Sequence, residues 1–230
     1  MLESSVVGAE APIPPVTFPL PESRYFRRPE FRIVAAGTPL FVEGMQHGET
    51  ARIVDGGVCL YQQVADGGRR ILDVLGPGHL VGAFMTDLAR CNVMTLARTR
   101  LVAVEPAAEA ACIAAATRRM LLRAQSHALL LRRNAVSERV ASGLLDLAGQ
   151  FARGVAFDGD GSVTFTLHLT RADLADWLGL TLASVSRGLN AFKRAGLIAF
   201  DHPKVITICD RAGLEALASE AGEPARRKLP

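Results

Sequence analysis

Closely spaced metal-binding cysteines are missing from this chain. Its cysteines are scattered along 230 residues, and no two of them form a Cys-x-x-Cys motif. Local zinc sites, iron–sulfur sites and disulfide frameworks need paired or regularly spaced cysteines. The spacing argues against all three and predicts reduced thiols. The cysteines are Cys59, Cys91, Cys112 and Cys209.

A secretory signal and a membrane-length apolar run are also missing. The first residues are acidic and then rich in proline, without the basic start and apolar run of a signal peptide. The most apolar stretch, residues 107–116, is too short to cross a bilayer and contains Glu109. We expect a soluble, cytoplasmic protein with no membrane partner.

The chain has little excess charge of either sign. Its formal net charge is +3, which is a weak indication of any partner. Six arginines and one glutamate lie between Arg118 and Arg139, whereas the C-terminal third is nearly balanced. The positions of the basic residues, and not the net charge, can therefore indicate a nucleic-acid partner.

Proline and glycine divide the first half of the chain. Five prolines in residues 1–24 exclude a regular helix and predict a flexible arm. Between Phe31 and Val104, glycines recur between short β-prone runs, and Asp66-Gly67-Gly68 is a hairpin signal. Many short strands separated by glycine turns predict an antiparallel barrel or jelly roll.

A long helical segment follows Pro106. About 28 residues up to Asn134 predict a rod of about 40 Å. Along this rod, five residues recur at spacings of 7, 4, 3 and 4, as in the seam of a coiled coil. Such a seam predicts a dimer interface, and packing on the chain's own barrel is the alternative. The histidine of this seam is expected to be a core residue rather than a ligand. The seam residues are Ile113, Met120, Ala124, His127 and Leu131.

Two helix N-cap signals stand close together near the C-terminus. Thr170, with Asp173 three residues later, forms a capping box and predicts a helix from Arg171. Thr181 caps a second helix, and Gly179 supplies a tight turn between the two. Two short helices joined in this way predict a helix-turn-helix.

The second helix, predicted over 182–195, has one apolar face and one polar face. Its outward residues suit a DNA major groove, because Arg187 can bind guanine through two hydrogen bonds and small side chains allow close approach. The following hairpin "IAFDHPKVITI" predicts a wing at the DNA backbone. A purely structural helix pair is the alternative. The outward residues are Ala183, Ser184, Ser186, Arg187, Asn190 and Arg194.

Three long segments match one known architecture in the same order. They read "GTPLFVEGMQHGETARIVDGGVCLYQQVADGGRRILDVLGPGHLVG", "RAQSHALLLRRNAVSERVASGLLDLA" and "LTRADLADWLGLTLASVSRGLNAFKRAGLI". The first resembles the double-stranded β-helix sensor domain of the Crp/Fnr transcription regulators, a jelly roll of the cyclic-nucleotide-binding type. The second is similar to their dimer helix, and the third to their winged helix. The resemblance covers roughly residues 30–218 and is strongest to the FixK/Fnr branch.

The resemblance implies an α+β fold and a homodimer that binds a palindromic DNA site, regulates transcription and, as an activator, contacts RNA polymerase. It implies no enzyme activity. It divides the chain into an arm (1–24), a β-barrel sensor domain (25–105), a dimerisation helix (106–136), a winged helix-turn-helix domain (137–218) and a tail (219–230).

The family's DNA contacts carry over at some positions. The start of the first helix matches residues that bind phosphate, and the "SR" pair matches residues that read bases. Ala183 stands where the family usually has glutamate, so the resemblance leaves the half-site open. The matching residues are Thr170, Arg171, Ser186, Arg187, His202 and Lys204. The predicted DNA-binding set also includes Thr181, Ser184 and Asn190, on the evidence of the helix pattern alone.

The resemblance also locates an effector pocket. Relatives that bind cyclic nucleotides have a glutamate after the glycine that matches Gly82, and later an Arg-Ser pair. Here Ala83 follows the glycine, and the later segment reads Arg90-Cys91-Asn92. Unpaired buried ligand groups are costly, so we expect no cyclic-nucleotide effector.

Other cofactors and chemistries have weaker support. We predict no cofactor and no metal, with haem on His47, His79 or Cys91 as the alternative. A thiol switch on Cys91, Cys112 or Cys209 is a further alternative, although the apolar neighbours of Cys209 predict an inert buried thiol. A cupin-like metalloenzyme is disfavoured because the chain has no His-x-His motif. The glycines of "GPGHLVG" do not match a dinucleotide-binding motif.

Overall fold

The N-terminal half of the described chain forms two four-stranded antiparallel sheets that pack face to face. A computed structural model describes residues 31–46, 48–65, 67–82, 88–105, 109–152 and 162–219. The sheet orders are β1-β8-β3-β6 and β2-β7-β4-β5, which confirms the predicted jelly roll. The strands are β1 (Phe31–Val34), β2 (Pro39–Phe41), β3 (Ala51–Asp55), β4 (Val58–Gln63), β5 (Arg69–Leu75), β6 (Leu80–Val81), β7 (Asn92–Thr95) and β8 (Thr99–Ala103).

The barrel core lies between the two sheets and depends on tight glycine turns. Ile53 and Val58 are fully buried there. Gly56, between β3 and β4, has a φ of 81°, and a Cβ atom would lie 2.7 Å from the Arg98 carbonyl oxygen. In the predicted hairpin, Val64 N–H donates to Gly68 O at 3.0 Å, and Asp66 lies outside the described residues.

Two helices connect the barrel to the C-terminal domain. The first, α1 (Ala110–Leu131), has 22 residues and a length of about 33 Å. It is shorter than the predicted rod because the chain turns after Arg132, and because residues 106–108 lie outside the described part. The second, α2 (Val136–Phe151), buries one apolar face in the C-terminal core.

The predicted dimer seam is not a single exposed face. Ile113 is half-buried, Met120 packs on the barrel core, and the His127 ring stacks on Trp177 with 5.5 Å between ring centroids. Ala124 and Leu131 are exposed. Heptad spacing shows that a helix face is apolar, but it does not show what covers that face. Here most of the face packs against other elements of the same chain.

The C-terminal domain is a winged helix-turn-helix. Its three-stranded sheet has the order β10-β11-β9. The strand β9 ends at Thr166, where the chain leaves the sheet to start the next helix. The elements are β9 (Val163–Thr166), α3 (Arg171–Trp177), α4 (Leu182–Arg194), β10 (Ile198–Ala199), β11 (Val205–Ile208) and α5 (Arg211–Ser219).

The barrel and the C-terminal domain share one continuous core. Ile71 and Val74 of β5 belong to the same buried cluster as Trp177 of α3. The Ile71 N–H donates to the Asp176 carboxylate, and Arg69 forms an ion pair with Asp173 at 2.6 Å. The helix α3 is thus held against the outer edge of β5.

An ion cluster around Arg123 joins three elements. This side chain of α1 bonds Asp73 of β5 at 2.7 Å and Asp146 of α2 at 2.7 Å. Burial disfavours its charged form, but the hydrogen bonds to both carboxylates outweigh that effect and raise the pKa of the guanidinium. Gln150 extends the cluster, since it donates to Asp146 and accepts the N–H of Gly76.

We predict that Arg123→Ala lowers the free energy of unfolding by about 2–4 kcal/mol, because it leaves two partly buried carboxylates without their cation. Urea unfolding followed by circular dichroism measures this change. The matched control is Arg211→Ala, which removes an exposed i,i+4 pair with Glu215 and should cost less than about 0.5 kcal/mol. Equal losses in the two variants would contradict a structural role for the cluster.

Candidate DNA-binding interface

The predicted capping box fixes the start of α3. The Thr170 hydroxyl accepts the Asp173 N–H at 3.1 Å, and the Asp173 carboxylate accepts the Thr170 N–H at 3.3 Å. Burial acts to raise the pKa of Asp173, but the hydrogen bonds from Arg69 and Thr170 outweigh it and lower that pKa. The carboxylate therefore stays charged while it caps the helix.

A glycine turn separates α3 from α4. Gly179 has a φ of 61°, a conformation that favours glycine. The Arg139 guanidinium donates to the Gly179 carbonyl at 3.0 Å and to the Arg133 carbonyl at 2.7 Å, so it ties the turn to the segment between α1 and α2. The turn is thereby held from outside the helix pair as well as by its own hydrogen bonds.

The helix α4 buries one apolar face, as its sequence pattern predicts. Val185, Leu189 and Phe192 are at most 5% exposed. The Thr181 hydroxyl accepts the Ser184 N–H at 3.1 Å and caps the helix as expected. This anchoring leaves the opposite side of α4 facing solvent.

The exposed side of α4 carries a short hydrogen-bonded chain. The Thr181 hydroxyl donates to Ser184 Oγ at 2.9 Å, and Arg187 Nη2 donates to the same oxygen at 3.4 Å. Among the described residues, Arg187 has no carboxylate partner, so its guanidinium edge is available to an external acceptor. Ala183 and Asn190 are exposed on the same helix, and Ser186 is half-buried.

The hairpin after α4 forms the predicted wing. Ile198 pairs with Ile208 and Ala199 with Thr207, and β9 adds a third strand beside β11. His202 and Lys204 are exposed at its tip, where the Lys204 N–H donates to His202 Nδ1 at 3.2 Å.

Sequence reasoning did not single out Lys193 and Phe200, which meet at the base of the wing. The Lys193 ammonium donates to the Phe200 carbonyl at 2.7 Å. Arg171, at the start of α3, lies over the Phe200 ring at 5.2 Å. Neither contact has a local sequence signal, because the partners come from separate elements.

The predicted effector residues do not form one cluster of free polar groups. Arg90 is exposed, while Asn92 accepts the Glu43 N–H at 3.1 Å through its side-chain oxygen. Burial raises the pKa of the half-buried Cys91 thiol. Gly82 has a φ of 118°, and a Cβ atom there would lie 2.5 Å from the Glu49 carbonyl. Ala83 lies outside the described residues.

A cleft of about 710 Å³ opens on one side of the barrel. Its described lining is mainly apolar, with Arg32, Gln46 and Glu49 as the longer polar side chains. The described residues contain no group of three potential metal ligands. His79 bonds the Gly76 carbonyl at 3.0 Å, burial lowers its pKa, and His47 lies outside the described part.

The cysteines differ in environment, and one expectation is wrong. Cys209 is exposed rather than buried, because it follows β11 and alternation places it opposite Ile206 and Ile208. Cys112 is half-buried and accepts a hydrogen bond from Arg52 at 3.1 Å. Burial raises the pKa of Cys59 to about 11.

Comparisons with known proteins agree with this architecture. Residues 31–134 match the cyclic nucleotide-binding domain family, and residues 138–217 match the Crp-like helix-turn-helix domain family. The chain is 30% identical to the nitrogen fixation regulation protein FixK of Azorhizobium caulinodans, over 95% of this chain and 99% of FixK. It is 31% identical to the transcriptional activator protein FnrL of Cereibacter sphaeroides, over 87% and 84%.

The solved structure of FixK2 from Bradyrhizobium japonicum matches with a TM-score of 0.71 and 29% identity, over 82% of this chain and 96% of FixK2. The fold, the exposed helix α4 and these matches define a DNA-binding transcription regulator rather than an enzyme. The chain belongs to the Crp/Fnr family. None of the described helices has the length and apolarity needed to span a membrane.

Proposed function

We propose that the protein acts as a homodimer that reads a palindromic DNA site, with α4 of each protomer in the major groove of one half-site. The observation that carries the proposal is the exposed side of α4. There Ser184 Oγ accepts hydrogen bonds from the Thr181 hydroxyl and from Arg187, and no described carboxylate neutralises Arg187. Arg187 reads a guanine through its guanidinium edge. Ser186 and Asn190 lie beside it.

Residues outside α4 supply the phosphate contacts that accompany this base contact. Thr170 and Arg171 stand at the start of α3, before α4 in the chain, and His202 and Lys204 stand at the tip of the wing that follows α4. Phosphate contacts set the register of a protein on the duplex, while base contacts supply the sequence preference. The protein acts where the DNA is, in the cytoplasm, and an activating role adds RNA polymerase as a partner. FnrL, a relative, is named a transcriptional activator.

The outer face of α1 supports the dimer. Leu121, Leu122 and Leu129 point away from the chain's own core and are 58%, 56% and 66% exposed. Leu122 and Leu129 are one heptad apart, the spacing of a helix-helix seam. A second copy of α1 buries these side chains. The seam is therefore offset around the helix from the one that the sequence predicts.

We also propose that no cyclic nucleotide controls the protein. Arg90 is exposed, and the Asn92 side chain already bonds the barrel backbone. These groups do not present the paired ligands that a ribose phosphate requires.

In vitro selection from random DNA tests the reading of α4. We expect a motif with dyad symmetry and half-sites about 10–10.5 base pairs apart, centre to centre. Arg187→Ala should abolish specific binding, since a bidentate guanine contact is worth about 1–3 kcal/mol per half-site. Ala183→Glu should shift the preferred bases, because a carboxylate accepts from cytosine N4. A motif without symmetry, or one that Arg187→Ala leaves intact, would overturn the proposal.

Sedimentation velocity tests the dimer. Leu122→Glu and Leu129→Glu should give monomers at micromolar concentration and remove specific DNA binding, because a charge at the seam must lose its hydration. Ile33→Glu is the control, since Ile33 is 55% exposed on β1 and lies outside the seam. A Leu129→Glu protein that remains a dimer would place the interface elsewhere.

Calorimetry tests the effector proposal. Cyclic AMP and cyclic GMP should show no heat of binding at micromolar concentrations and should leave the affinity for the selected DNA site unchanged. Micromolar binding of either nucleotide would refute this expectation.

A further inference from the structure

One aromatic ring contacts two cations at the base of the wing. Phe200 directly follows β10, and its ring centroid is 5.2 Å from the Arg171 guanidinium carbon and 4.7 Å from the Lys193 ammonium nitrogen. Both distances fall within the range of cation–π attraction, which is about 6 Å. The ring thus bridges the first residue of α3 and the last turn of α4.

Arg171 depends on this ring more than an ordinary surface arginine does. Its Nη1 atom is enclosed and has no hydrogen-bond partner among the described residues. Burial lowers the pKa of the guanidinium. The negative face of Phe200 is the compensating group that the described residues supply. The ring therefore holds the Arg171 guanidinium in place without neutralising its charge. That charge remains available to bind an external anion.

Lys193 is fixed by the same residue. Its ammonium donates to the Phe200 carbonyl at 2.7 Å, so the backbone and the ring of one residue both hold it. Among the described residues, the Asp201 carboxylate lies 3.9 Å from this ammonium. That carboxylate is fully solvated, so the pair is weak and leaves the ammonium open to a phosphate.

We infer that Phe200 is a positioning residue for DNA binding, which holds Arg171 and Lys193 side by side for phosphates that flank the recognition helix. This inference rests on the proposed phosphate contact of Arg171 and adds Lys193 to the phosphate-binding set. Phe200 itself contacts neither a base nor a phosphate in this scheme. It acts by fixing the two cations, so that fewer side-chain conformations are lost on binding.

The salt dependence of DNA binding separates positioning from simple packing. Each phosphate contact contributes about 0.9 to the slope of log K against log salt concentration. Phe200→Leu keeps an apolar side chain but removes the ring. It should lower the magnitude of the slope by about 1–2 and weaken specific and non-specific binding by the same factor, on the order of ten-fold. Phe200→Tyr keeps the ring and should restore both values.

Two comparisons complete the test. Phe31→Leu removes a similar contact in the barrel, where Arg100 lies 4.7 Å from the Phe31 ring, and should leave the slope unchanged. In an Arg171→Ala/Lys193→Ala background, adding Phe200→Leu should not change the slope further. Thermal melting of each variant checks that the domain remains folded, and Phe200→Met, which also removes the ring but keeps a large apolar side chain, replaces Phe200→Leu where that variant is unstable.

The outcomes distinguish the two levels of the proposal. If Arg171→Ala leaves the slope unchanged, the proposed phosphate contact and this inference both fail. If Arg171→Ala lowers the slope and Phe200→Leu does not, only the role of Phe200 fails. If Phe200→Leu lowers the slope and Phe200→Tyr restores it, the positioning role is supported.

Discussion

The orientation of the DNA-binding domain depends on the ion cluster around Arg123. Its guanidinium stands on the connecting helix α1 and bonds a carboxylate of the barrel and a carboxylate of α2. A partly buried cation with two partners is stable only while all three elements keep their relative positions. The cluster therefore sets the angle at which α2, and with it α3 and α4, leaves the barrel. The shared core around Ile71 and Trp177 reinforces that angle.

The helix-turn-helix could be predicted closely because its boundaries have local causes. The capping residues Thr170 and Thr181 determine where α3 and α4 begin, and each hydrogen bond involves neighbours in sequence. The inner face of α4 follows from 3.6-residue periodicity. The jelly roll was predictable in type because glycine turns mark its strands. The pairing order of the strands was not, since it depends on contacts between distant segments.

Most features that sequence reasoning could not supply involve distant partners. Spacing identified an apolar seam on α1, but it could not show that Met120 meets the barrel and His127 meets Trp177. Apolar neighbours suggested that Cys209 is buried, although strand alternation places it outside. The Phe200 contacts join the start of one helix to the end of another across the base of the wing. Nothing in the spacing of these residues indicates that they meet.

The contact between α3 and β5 has a consequence for solubility. In the described sheets β5 is an edge strand, and an open edge offers unpaired backbone groups to any other strand it meets. Asp176 occupies one of these groups by accepting the Ile71 N–H, and α3 covers the strand around it. A movement of the DNA-binding domain away from the barrel would uncover that edge. Domain separation in this protein therefore carries a risk of strand-to-strand aggregation, against which the docked helix protects.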